Sequence, residues 1–292
     1  LQFFSGPGSF PGTHCDSIAA YVAIVGERIR PMSIEKAVFV DSPDTIDSCA
    51  SGVKRIYFGN EFCHRLLPSP EEVEQFVDKA AAASMALTLV TPFVTDDELE
   101  TVKKAIKTFH LFVPDGEVVF SDWGVLRVLK ETYPSLTPVL GRLLNKQTID
   151  PRIGSMIDEF QEKSREHFLS AAADNPEVTV FLVKMGVNRI EFENTFQGFV
   201  RQGTMPASLH YPYILFSLTR LCPSANLGAG RGFRGIGSCQ RECCDTRYKI
   251  SWKGVPLQAL SFGKVQLVAN FQYPPDVESL GIDRIVNHVR TS

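Results

Sequence analysis

The 292-residue sequence has no apolar run near the roughly 20 residues that a membrane-spanning helix needs. It has no basic excess either. Its 30 Lys and Arg stand against 33 Asp and Glu, a net charge of −3, so the chain as a whole exerts no electrostatic pull on nucleic acid. A local basic patch stays compatible with that balance. Seven cysteines are too few for a disulfide scaffold at this length, and an odd number leaves one unpaired. Neither H-E-x-x-H nor G-x-S-x-G occurs, which removes the commonest zinc-peptidase and serine-hydrolase signatures. No G-x-G-x-x-G follows the first strand-like run, which argues against a dinucleotide-binding open sheet.

What is present is an ordinary globular composition, 44% hydrophobic and 22% charged. It excludes a disordered chain, a collagen-like chain and a coiled coil. Residues 1–31 stand apart, rich in Gly, Pro and Phe at the start and without periodicity. No Lys or Arg precedes Arg28, so the apolar stretch before it lacks the basic start of a signal peptide. These residues read as a leader, tag or natural extension, with Met32 as a candidate start. Residues 32–292 read as one domain, expected in the cytoplasm.

From residue 36 onward strand-like and helix-like runs alternate. KAVFVDS, VKRIYFG, ALTLVTPFV, EVVFSD, TPVLGRLLN and VNRIEFEN have strand length and apolar character. SPEEVEQFVDKAAAASM carries a Ser69 cap, Pro70 in the first turn and early acids, all helix-start signals. TDDELETVKKAIKTF places Leu99, Val102, Ile106 and Phe109 at helical spacing. RIGSMIDEFQEKSREHFLSAAAD also reads as helix, while PEVTVFLVKMG fits helix or strand. Such alternation predicts a parallel sheet with crossover helices, and the unit count favours a (β/α) TIM-like barrel, possibly incomplete or distorted. In a barrel, function gathers where strands end. That directs attention to GNEFCHR, SDWG, LLNKQT and the cysteine-rich region after LHYPYILFSLTR.

Cys222, Cys239 and Cys243 form C-x16-C-x3-C, with Cys244 adjacent and five glycines in the intervening loop. Clustered thiols in a polar glycine loop suit a metal centre better than buried packing. Cys63, after the second strand run, is the candidate fourth ligand. Iron–sulfur chemistry is the first reading and structural zinc the second, because zinc sites more often use C-x2-C pairs.

Gly59 and Cys63 in GNEFCHR resemble the G-x3-C of the UbiV-type proteins of the collagenase-like peptidase family. SDWGVLRVLKE resembles that family's D-x-G-V segment, Asn145 its L-N segment, and TRLCP with CQRECC its R-C segment and closing C-x3-C. The resemblance runs from about Val53 to Ser251. It implies a (β/α) barrel holding a [4Fe–4S] cluster on Cys63, Cys222, Cys239 and Cys243, with Cys244 as the alternative to Cys243. It implies oxygen-independent hydroxylation of an aromatic ring, most directly in ubiquinone biosynthesis. The expected companions are a homologous UbiU-like subunit, a small aromatic or prenylated substrate, and an organic oxygen donor such as prephenate. An RNA base is the alternative substrate within the same family, and a metal-stabilised peptidase-like or binding subunit the alternative role.

Candidate catalytic residues are Asp122, Asn145, Glu193 and Arg220. Asp122 can orient a substrate or cap the helix that starts at Trp123. Asn145 can bond a ring or carboxylate, or hold a turn. Glu193 can act as acid or base, or serve as the buried partner of an arginine. Arg220 can hold a carboxylate in its two-pronged donor geometry, or brace the cysteine loop. Arg231 and Arg234 are candidate anion contacts; His64, beside Cys63, reads as a neighbour of the ligand or as solvated rather than as a ligand, and His210 and Tyr211 read as structural.

Overall fold

The computed structural model describes residues 34–227, 239–253, 255–273 and 276–288. Residues 1–33, with Cys15, and the loop carrying Arg231 and Arg234 lie outside them.

Eight parallel strands close into a barrel in the order β1-β12-β7-β6-β5-β4-β3-β2. They are β1 (Glu35–Phe39), β2 (Arg55–Gly59), β3 (Ala86–Val90), β4 (Glu117–Phe120), β5 (Thr137–Leu140), β6 (Arg189–Glu193), β7 (Ala207–Tyr211) and β12 (Ile282–His288). Closure is direct: β12 pairs with β1 through Ala37 and Val286 and with β7 through Val286 and His210. The expected TIM-like barrel is therefore present, and it is complete.

The crossovers carry α1 (Pro70–Ala82), α2 (Asp96–Phe112), α3 (Trp123–Thr132), α4 (Pro151–Met156), α5 (Glu162–Leu169) and α6 (Pro176–Lys184). Ser69 starts α1 with a reciprocal cap: its hydroxyl accepts from the Glu72 amide at 3.2 Å, and the Glu72 carboxylate accepts from the Ser69 amide at 2.7 Å. In α2 the buried stripe is Val102, Ala105, Ile106 and Phe109. Each larger apolar side chain so buried contributes about 1.5–3 kcal/mol relative to exposure. The outward faces of the strands pack on these helices as one large cluster. The inward side chains Ala37, Phe39, Tyr57, Val90, Val119, Val139 and Val286 form a second, inside the barrel.

Three segments differ from the sequence expectation. PEVTVFLVKMG is helix α6, capped by Asn175 with Pro176 in the first turn. The run from Arg152 to Asp174 is two short helices separated at Phe160 and Gln161, which are extended; α5 buries no residue and so has no apolar stripe to continue it. LHYPYILFSLTR is two strands, not one. β7 ends at Tyr211, and β8 (Tyr213–Leu218) leaves the barrel.

β8 opens an insertion between β7 and β12. It holds α7 (Pro223–Leu227), β9 (Tyr248–Trp252), β10 (Val255–Phe262) and β11 (Val265–Ala269), and its strands form an antiparallel sheet in the order β8-β11-β10-β9. All four clustered cysteines (Cys222, Cys239, Cys243 and Cys244) lie in this insertion, between β8 and β9.

Candidate functional site

The turn after β2 supplies two donors. Gly59 has φ +107, and a Cβ there would stand 2.3 Å from the Val90 carbonyl oxygen, so the position requires glycine. Asn60 Oδ1 then accepts from the amides of Phe62 at 2.9 Å and Cys63 at 2.8 Å, which fixes the turn. Glu61 is thereby buried at the barrel mouth, while Cys63 faces the insertion.

Around Cys63 the thiols influence one another. Burial pushes its thiol up, and Cys239 and Cys222 add to the rise, while the Arg65 amide and the Lys264 ammonium oppose it. The Cys243 thiol is pushed up to about 12, first by burial, then by Cys244, Cys222, Cys63 and Cys239. Cys63 from the β2 turn and Cys243 from the insertion thus each stand within electrostatic reach of Cys222 and Cys239. Cys243 is buried and Cys244 exposed. The hairpin between β10 and β11 supports the set: a Cβ on Gly263 would sit 3.5 Å from Cys243 Sγ, and the Gly263 amide donates to Ser224 Oγ at 2.8 Å. The Arg241 amide donates to Cys239 Sγ at 3.4 Å. Cys49 stands elsewhere, its thiol directed at the Thr45 carbonyl.

Inside the mouth lies a buried polar centre. Arg142, in the loop after β5, donates through Nε and Nη2 to the two Glu61 oxygens at 2.8 and 2.6 Å, and through Nη1 to Glu193 at 3.0 Å and the Tyr213 carbonyl at 2.9 Å. Burial pushes both Glu191 and Glu193 up to about 7, against the pull of Arg142. His210 is pushed down to about 3, chiefly by burial and then by Arg142, so its imidazole is neutral. His210 Nδ1 meets His288 Nε2 at 2.7 Å.

The candidate catalytic residues are distributed unevenly about this centre. Glu193 is in it, as the buried partner of an arginine. Asn145 is fully buried beside it, with both ends occupied: Nδ2 donates to the Glu191 carbonyl at 2.9 Å and Oδ1 accepts from the Ala173 amide at 3.0 Å. Asp122 caps α3, accepting from the Gly124 amide at 2.7 Å, with its other oxygen directed at the Val94 amide. Arg220 is exposed after β8 and in no ion pair among the described residues. The guanidinium of the mouth is Arg142, which the sequence reading missed along with Glu61 and Glu191. His210 reads as structural in the sequence, and nothing there singles out His288. The available signal was position, since Glu61 and Arg142 each stand two residues past a barrel strand. A cavity of about 330 Å³ opens next to the end of β6, lined by Asn194, Phe196, Phe199, Asn270 and Tyr273 among others.

No family model matches the chain, and no curated protein matches it. Among solved structures the chain is similar to the U32 peptidase Mk0906, with a TM-score of 0.46 at 14% identity, covering 91% of this chain and 96% of that one.

Proposed function

We propose that this chain is an iron–sulfur protein of oxygen-independent hydroxylation, acting on an aromatic ring together with a homologous partner subunit. The observation that carries the reading is that Cys222 and Cys239 act on the Cys63 thiol, and Cys222, Cys63 and Cys239 on the Cys243 thiol. Four soft thiol donors fit a [4Fe–4S] cluster. When bound, such a cluster supplies one-electron transfer. The chain's own residues prepare for it. Asn60 holds the Cys63 amide, the Arg65 and Arg241 amides address the sulfurs of Cys63 and Cys239, and Lys264 offsets thiolate charge. Amide-to-sulfur hydrogen bonds are among the features that set cluster potential. Arg142 is held by two carboxylates and a carbonyl, so an organic acid reaching it has to displace one of them. The cavity near β6 has the size of a single-ring ligand site.

Anaerobic purification followed by visible absorption, iron, acid-labile sulfide and zinc assays tests the centre. Brown protein with near-equal iron and sulfide supports the reading, and Cys63→Ala then lowers cluster content while Cys49→Ala leaves it intact. Colourless protein with stoichiometric zinc would replace the cluster with a structural metal. Product formation by the chain with and without its partner subunit tests the hydroxylation itself.

A further inference from the structure

The acids of the barrel mouth carry a consequence independent of the cysteines. We propose that Glu61, Glu191 and His210 hold a divalent first-row cation inside the barrel, a second metal site built from two carboxylates and one imidazole. One ligand atom from each lies within 4.8 Å of the other two. All three residues are buried, at 1%, 0% and 0% exposure.

The unpartnered atoms point to a ligand. Neither Glu191 carboxylate oxygen makes a well-aligned hydrogen bond, and neither does His210 Nε2, although the Tyr57 hydroxyl reaches the Glu191 carboxyl and Nε2 stands 3.0 Å from Glu191 Oε2. Leaving such groups unmet in a protein interior is costly. The other ring nitrogen of His210 meets His288 Nε2 at 2.7 Å, which orients the ring; in the tautomer whose Nδ1–H donates to His288, Nε2 presents a lone pair to the site. Each Glu61 oxygen accepts one N–H from Arg142, and each retains a second lone pair.

Charge is compatible with the same place. The Arg142 guanidinium is taken by Glu61 and Glu193, and Glu191 forms no ion pair with an arginine among the described residues, while Arg142 and Arg284 act on it at longer range. A dication at the three-residue set would place positive charge beside the Glu191 oxygens. Two oxygens and one nitrogen suit manganese, ferrous iron or zinc. The bound ion ties the β2 turn to β6 and β7. A proton shared between Glu191 and His210 is the competing occupant.

Manganese separates this site from the thiols, which prefer softer metals. The full chain is produced in manganese-supplemented medium, so that it folds with the ion present, and is purified anaerobically. Elemental analysis is expected to find stoichiometric manganese. Glu191→Gln and His210→Gln are expected to lower it roughly tenfold or more, and Cys222→Ala to leave it unchanged. Because a variant can fail to fold, the wild-type protein gives the second readout: the electron spin echo of bound manganese is expected to carry imidazole nitrogen modulation. Absence of stoichiometric manganese, its retention in folded Glu191→Gln and His210→Gln, its loss in folded Cys222→Ala, or a spectrum without that modulation overturns the proposal. None of these outcomes bears on the cluster, whose iron and sulfide are assayed separately.

Discussion

The two ends of the barrel interior are both charged, and they are charged differently. At the amino-terminal end Glu35 and Glu117 meet Arg55 and Arg284, acid for base. Arg284 donates to Glu35, to the Tyr57 hydroxyl at 2.9 Å and to both Glu117 oxygens at 2.7 and 3.0 Å, and Arg55 bridges the same two acids. Arg189 pairs with Asp283. At the carboxyl-terminal mouth Glu61 and Glu193 share Arg142, and Glu191 beside them makes no well-aligned hydrogen bond. A buried polar set that closes on itself plugs a barrel. One that leaves atoms and charge unmet holds a place for something else. The difference separates structure from chemistry inside one continuous core.

Breaking the closed end is the sharpest test, and Arg284→Met has the largest expected effect. It leaves Glu117 and Glu35 to Arg55 alone, a loss of up to about 3–5 kcal/mol, the range for removing one partner of a buried pair. Urea unfolding at neutral pH measures it. A loss within the usual range of a surface substitution would mean that the network is solvated, and the contrast between the ends would fail. Gly59→Ala comes next. Its Cβ meets the Val90 carbonyl and its backbone stands in the left-handed half of the map, so a cost of about 1–3 kcal/mol is expected from strain alone. Because this turn carries both Glu61 and Cys63, metal content is expected to fall with stability.

A smaller effect is expected from acid. Burial raises the Glu117 carboxyl, but the hydrogen bonds and charge of Arg284 outweigh it and hold the group below its ordinary 4.5. With the folded value depressed, its contribution is fully present above pH 4.5 and is lost as pH falls through the folded value. Urea unfolding from pH 7 down to pH 3 should show that slope, and Glu117→Gln should flatten it. An unchanged slope in the variant would assign the acid sensitivity to other groups.

The closed barrel was legible because its outer face is apolar and its helices announce their starts. Ser69, Pro70 and Glu72 spelled out α1, and the stripe of α2 was visible at its spacing. The closing strand was not legible. β12 sends Arg284, Val286 and His288 inward, so a strand wholly inside the fold looks half polar in sequence. Cys222, Cys239 and Cys243 stand out in the sequence because thiols are scarce and theirs are clustered, whereas Cys63 is singled out by its place after a strand. The carboxylates and Arg142 do not stand out, since glutamate and arginine are common and nothing local separates a buried one from a solvated one. Only closure of the barrel brings Glu61 to Arg142, 81 residues apart in the chain. The insertion sheet also went unread, because Pro212 divides one apolar run into a barrel strand and a strand of another sheet.

The smallest expected effect concerns a residue at the mouth that belongs to neither charged set. Asp122 follows β4 directly, where a barrel enzyme places chemistry, yet both its oxygens address backbone amides, one at the start of α3 and one in the loop after β3. Truncation to alanine removes the cap, at a cost of about 1 kcal/mol. Asp122→Asn keeps a capping oxygen and should stay near wild-type stability, since asparagine caps as well as aspartate. The amide cannot accept a proton as the carboxylate does. The two substitutions therefore separate the roles: a structural Asp122 makes alanine the more damaging change and leaves product formation per cluster equal in Asp122→Asn and wild type. If Asp122→Asn abolished product while keeping stability and cluster content, Asp122 would join the chemistry of the mouth, and the division between a closed and an open end would have to admit a carboxylate that does both.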